Sequence, residues 1–284
     1  MRIVTDLNEL AADYDVLLCD IWGVIHNGVT ADQGACSALA RWAAKRGPVV
    51  LISNSPRPSP EVVLQLDALE VPRAAWSAIV TSGDATRVLL AQRAPGPAFR
   101  IGPGRDDPLY AGLGLDFAPI SEAVFIACSG PDDDEAETPE DYRQALAIGV
   151  SLNLEMICAN PDIVVQRGDR LIYCGGALAR LYRELGGVTI MAGKPHSPIY
   201  NLALAKAREL LGAPLHSGRV LAIGDGLETD VAGANMHNLD VLFIANGIHG
   251  GPDMIENGAL KEEALERLLA QDGLIARFAM AALT

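Results

Sequence analysis

The chain has 284 residues, half of them hydrophobic and a fifth charged, with a formal charge of −14 at pH 7. That hydrophobic content excludes disorder, and so acidic a surface repels phosphate backbones, which argues against nucleic acid as a partner. Apolar runs no longer than that at 123–128 fall far short of the roughly 20 residues that cross a bilayer, so no membrane association is expected.

The first fifteen residues carry acids where a secretory leader needs an apolar stretch, so a cytoplasmic location is expected. Cys19, Cys36, Cys128, Cys158 and Cys174 form no CxxC pair and read as reduced, buried thiols. The length favours two domains.

In chain order, strands are predicted at 16–21, 49–53, 78–82, 124–128, 155–159, 220–223 and 241–245. Several are continuous apolar runs, the pattern of a parallel sheet covered by helices on both faces. Helical patterns lie between them, which makes this an α/β protein. Thr30-Ala31-Asp32-Gln33 predicts a capping box for a helix carrying Ala35, Cys36, Leu39, Ala40 and Ala43. Ser59-Pro60 and Ser197-Pro198 each place a cap before an N1 proline. The acidic segment 131–141 lacks the ligand spacing and glycine of an EF-hand. It predicts a solvated loop entering a helix capped by Thr138, with Pro139 at the first position.

Ligands of open α/β sheets bind at the carboxyl ends of strands. Three predicted strands end in polar groups: Asp20 before Trp22-Gly23, Ser53-Asn54-Ser55, and Gly224-Asp225-Gly226 with Asp230 five residues past Asp225. Lys194 stands in a Gly/Pro-framed loop just before a helix. Each signal alone is weak, since a strand-end Asp can cap a helix and a lone Lys is usually a surface charge. Together they are more specific. Asp20, Asp225 and Asp230 would repel one another unless a hard cation such as magnesium neutralised them. A hydroxyl, backbone amides and a lysine beside that cation would suit the oxygens of a phosphate.

This ordered set resembles the haloacid dehalogenase (HAD) superfamily, whose motifs are a strand-end DxD, a strand-end Ser/Thr, a Lys and a strand-end GDxxxxD. The long insertion between the Ser and Lys motifs resembles class IIA, the NagD-like phosphatases. Ser53-Asn54-Ser55, Ile79-Val80-Thr81-Ser82 and Ala159-Asn160-Pro161-Asp162 resemble further segments of that class. The resemblance implies a Rossmann-like core at 1–82 and 188–284, with an inserted α/β cap of the C2 type at 83–187. It implies a magnesium-dependent phosphatase acting on a small phosphorylated metabolite such as a sugar phosphate or nucleotide. Asp20 would be the nucleophile that becomes an aspartyl-phosphate. Mg2+ would be held by Asp20, the Trp22 backbone carbonyl, Asp225 and Asp230, and the phosphate by Ser53, the Asn54 amide and Lys194. Association of two copies through the cap is also implied.

Trp22 departs from the family pattern, which has a second Asp there to protonate the leaving group and later activate water. An indole N–H supplies no such chemistry near neutral pH. His26 is the nearest titratable replacement. Arg57 could reach a substrate anion, although an exposed loop is its simpler reading. Asn160 and Asp162 are candidates for substrate contact from the cap, with helix capping as the competing role. Two other outcomes stay open: a slow or inactive phosphometabolite-binding protein, and a dehalogenase, which the paired Asp225 and Asp230 disfavour because halide displacement needs no metal. A dinucleotide-binding oxidoreductase is discounted, because Thr229 occupies the third glycine's place.

Overall fold

The computed structural model describes residues 1–167, 170–247, 254–256 and 259–284. Its strands are β1 (Arg2–Ile3), β2 (Val16–Asp20), β3 (Val49–Ser53), β4 (Ala78–Thr81), β5 (Ala98–Ile101), β6 (Phe125–Cys128), β7 (Glu155–Cys158), β8 (Val164–Arg167), β9 (Arg170–Tyr173), β10 (Val188–Met191), β11 (Val220–Gly224), β12 (Asp240–Ile244), β13 (Ile255–Glu256), β14 (Ala259–Leu260) and β15 (Phe278–Met280). The α-helices are α1 (Gln33–Lys45), α2 (Ser59–Ala68), α3 (Ser82–Ala91), α4 (Arg143–Ser151), α5 (Gly175–Glu184), α6 (Ser197–Leu211), α7 (Ala232–Met236) and α8 (Glu262–Gln271). The chain divides into two compact units, one of residues 1–53, 63–80 and 200–284, the other of residues 54–62 and 81–199.

The first unit is built on a seven-stranded sheet in the order β1-β15-β12-β11-β2-β3-β4. All five residues of β2 and of β11 are buried, which explains their unbroken apolar runs. β2 pairs in parallel with both β3 and β11, placing Asp20 opposite Ile52 and Cys19 opposite Ile223. The chain steps outward from β2 through β3 to β4 on one side, and from β11 through β12 to β15 on the other. The gap between β2 and β11 is therefore the topological switch point, where such sheets open a crevice.

Helix α1 buries Ala35, Cys36, Ala38, Leu39 and Trp42, one face at helical spacing. Burying Leu39 and Trp42 stabilises this packing by roughly 1.5–3 kcal/mol per side chain. The helix starts later than the Thr30 box predicts. Asp32 is the N-cap and accepts the Ala35 N–H at 2.9 Å. Thr30 is engaged elsewhere, its hydroxyl donating to Asn27 Oδ1 at 3.3 Å. Both residues offer an oxygen within three positions, and the carboxylate takes the helix.

The second unit contains a four-stranded sheet, β10-β7-β6-β5, parallel throughout. On one face Ile126, Met156 and Cys158 pack with Leu146, Leu178 and Tyr182 of α4 and α5. On the other, Phe125, Ala127 and Ile157 pack with Leu90 of α3 and Leu109. β10 belongs to this sheet, whereas the domain division expected from sequence, at 187/188, assigns it to the core. Its Val-Thr-Ile-Met run fits either sheet, and only the pairing of Val188 with Glu155 decides. None of the five cysteines forms a disulfide, and all are buried.

The acidic segment is only partly solvated. Thr138 and Asp141 form the predicted capping box, with Pro139 at the start. Asp132, however, accepts the Gly102 N–H at 2.7 Å, and buried Asp134 pairs with Arg105. The expectation of a solvated loop is corrected at Asp134, which is buried, while Asp132 stays exposed and ties the loop to the end of β5.

Candidate active site

β2 carries Asp20 to the carboxyl edge of the first unit's sheet, where the side chain is 8% exposed. One carboxylate oxygen accepts the Ile21 N–H at 2.7 Å. On the neighbouring strand β11 the chain turns through Gly224, Asp225 and Gly226, and a single π-type turn, Leu227–Val231, folds Asp230 back. Such turns cluster at functional sites. The Gly226 N–H donates to a carboxylate oxygen of Asp230 at 3.1 Å.

Asp20, Asp225 and Asp230 each offer an oxygen, all within 4.8 Å of one another, and all three side chains are buried. Buried like charges this close are costly unless a cation joins them. The surrounding backbone makes room for that arrangement. Gly23 has φ +84°, and a Cβ there would stand 2.2 Å from Asp225 Oδ2. A Cβ at Gly247 would stand 2.1 Å from the same oxygen. The donor set is all oxygen and strongly anionic, which fits a hard divalent cation. Ser53, half-buried, leaves the adjacent strand β3 one residue beyond the partner of Asp20.

Trp22 lies in the loop after β2 and is 42% exposed. Its indole is seated over Gly28, where a Cβ would approach to 2.3 Å. His26 is 3% exposed, and its Nδ1 accepts the Gly28 N–H at 3.0 Å. Burial pushes its imidazole down to about 4, so it is neutral at pH 7. These contacts make His26 a brace of the loop. A neutral imidazole carries no extra proton for a leaving group, and it is the form that accepts a proton from water.

A second polar group lies in the other unit. Asn54 Oδ1 accepts the Lys194 N–H at 2.7 Å, while its Nδ2 donates to Asp162 at 2.8 Å and to the Lys194 carbonyl at 3.3 Å. Lys194 is 2% exposed. The side chain of Asn54 is thus committed to protein partners. Asn160 Oδ1 accepts the Asp162 N–H at 3.1 Å, closing a turn. Arg57 is half-buried rather than in an exposed loop. Its charge is among those acting on buried Asp106, whose carboxyl burial raises above the usual range.

Sequence reasoning did not foresee Gly247 beside Asp225, nor the Asn54–Asp162 bond across 108 positions. Asp162 carried a signal, being polar at a predicted strand end. Gly247 carried none.

Residues 17–116 match a family model described as haloacid dehalogenase-like hydrolase, and residues 191–269 match one described as HAD-hydrolase-like. The structure is similar to that of a haloacid dehalogenase-like hydrolase from Brucella suis 1330, with a TM-score of 0.86 and 45% identity over 99% of this chain and 100% of that one. The D-glycerol 3-phosphate phosphatase of Mycobacterium tuberculosis is 25% identical over 88% of this chain and 68% of its own. The acid sugar phosphatase of Staphylococcus aureus is 26% identical over 83% of this chain and 88% of its own.

Proposed function

This chain belongs to the haloacid dehalogenase-like hydrolase family, and on that footing we propose that it hydrolyses the phosphate monoester of a small metabolite, with Mg2+ as its cofactor and Asp20 as its nucleophile. The observation that carries the reading is the buried triad of Asp20, Asp225 and Asp230, whose oxygens lie within 4.8 Å of one another. Relatives named for sugar phosphates and glycerol 3-phosphate support the substrate class.

Asp20, Asp225, Asp230 and the Trp22 carbonyl would hold the ion, which when bound offsets the negative charge gathered by the phosphoryl group. Asp20 attacks phosphorus, an Asp20 O–P bond forms, and the ester P–O bond breaks, the leaving alkoxide taking its proton from solvent water because Trp22 supplies none. Water then cleaves the aspartyl-phosphate. Ser53, the Asn54 backbone N–H and Lys194 take the non-bridging oxygens by the family motif, and their charge and dipoles favour the transition state. Two copies associating through the inserted unit, in the cytoplasm, complete the proposal. Among the described residues no helix is long and apolar enough to cross a membrane.

Trp22 favours a specific second reading, a slow enzyme or phosphometabolite-binding protein. Losing a positioned acid/base costs about 10²–10⁴ in rate. The deciding experiment measures inorganic phosphate released from sugar phosphates, glycerol phosphates and nucleotides, with EDTA and Asp20→Asn controls. Release abolished by both controls is expected. Tight substrate binding with no Asp20-dependent release would give the second reading the site.

A further inference from the structure

Lys194 and Asp162 leave neighbouring strands of the second unit's sheet. β10 pairs with β7 so that Met191 stands opposite Cys158. The two loops therefore emerge side by side, and the side chain of Asn54 joins them. Its orientation is dictated by its partners. The Lys194 N–H can only donate and the Asp162 carboxylate can only accept, so Oδ1 must face the first and Nδ2 the second. Gly193 makes the approach possible, since a Cβ there would stand 2.5 Å from Asn54 Oδ1 and 2.7 Å from Pro161 Cδ. Asp162 is itself anchored twice through its backbone: its N–H donates to Asn160 at 3.1 Å, and its carbonyl accepts the Gly176 N–H at 3.1 Å.

We propose that Asp162 is a positioning residue: by accepting from Asn54 it locks the amide that holds the Lys194 backbone, and so sets where the lysine ammonium is presented to the phosphoryl group. The proposal rests on the phosphatase reading for the lysine's role, but the clamp itself is a property of this unit. It assigns Asp162 to holding Lys194 rather than to touching substrate. Asn160 then acts one step further back, by holding Asp162.

The test exchanges the polarity of the pair. Asn54→Asp sets a carboxylate against Asp162 and removes the donor, and kcat/KM should fall roughly ten- to hundredfold. Asn54→Asp combined with Asp162→Asn restores one donor and one acceptor, and should recover at least tenfold over the single variant. Asp162→Ala should lose more than Asp162→Asn, which keeps an acceptor. Melting temperatures are measured for every variant. Recovery of stability without recovery of kcat/KM would leave Asp162 merely structural and overturn the proposal.

Native-state amide exchange at Lys194 supplies a readout independent of turnover. Its N–H should exchange faster in Asp162→Ala than in the wild type, and an unchanged rate in the folded variant would overturn the clamp. If wild-type turnover does not depend on Asp20, the phosphatase reading fails while the exchange result still decides the clamp.

Discussion

The indole of Trp22 meets the imidazole of His26 edge-on, with ring centroids 5.1 Å apart and planes at 78°. The contact fills the position two residues after Asp20 with a partly exposed aromatic side chain. It also uses His26 to brace it. Residue 22 thus offers an indole, and no carboxylate, beside Asp20.

Restoring that carboxylate is the first prediction. Trp22→Asp should raise kcat by about 10²-fold or more, within the range ascribed to a positioned acid/base. Trp22→Phe should not. Steady-state kinetics on p-nitrophenyl phosphate separate the two, and a Trp22→Asp variant no faster than wild type would mean that another group already moves the proton.

The carboxylate triad predicts opposite effects of one substitution with and without metal. In EDTA, Asp225→Asn relieves repulsion with Asp20 and Asp230 and should raise the melting temperature. About 1 kcal/mol corresponds to roughly 2–4 °C in a protein of this size. In saturating Mg2+ the wild type should gain stability by mass action and the variant gain less, so the order reverses. Calorimetry in both buffers checks it, and the same order in both would argue against a metal at these residues.

Gly247→Ala probes the same site without touching a ligand. A Cβ 2.1 Å from Asp225 Oδ2 must displace the carboxylate. The variant should weaken Mg2+ activation roughly as much as Asp225→Asn does, read as the Mg2+ concentration at half-maximal rate. An unaltered midpoint would place Asp225 outside the metal's reach.

Stability should also fall on the acid side through Asp15. Arg219 Nε donates to it at 2.9 Å, and this bond holds the Asp15 carboxyl below its usual range. A carboxyl whose folded pKa is depressed contributes stability that is present above the unfolded value, near 3.9, and lost as pH falls through the folded one. Both side chains are 41% exposed, so solvent screening keeps the effect small. Melting temperature against pH should fall less steeply below pH 4 in Asp15→Asn than in wild type.

The strands that build the site were legible because each is buried on both faces and so reads as an unbroken apolar run. Asp20, Ser53 and Asp225 were legible because a polar group at the end of such a run needs a reason to be there. The sheet to which Val188–Met191 belongs was not legible, since strand pairing depends on partners far along the chain. The side-chain bonds of Asn54 were not legible for a similar cause. Its partners lie 108 and 140 positions away, and nothing local marks them. At α1 two neighbouring cap candidates competed, and local pattern could not rank Asp32 over Thr30.

The most direct test of the central claim is a rapid-mixing experiment with p-nitrophenyl phosphate and Mg2+, following nitrophenolate from the first milliseconds. Nitrophenolate leaves without needing a proton, so transfer to Asp20 tolerates Trp22, whereas water attack on the aspartyl-phosphate does not. The expected result is a burst near one equivalent per active site followed by slow turnover, both abolished by EDTA and by Asp20→Asn. Nitrophenolate release that persists in Asp20→Asn would contradict the account.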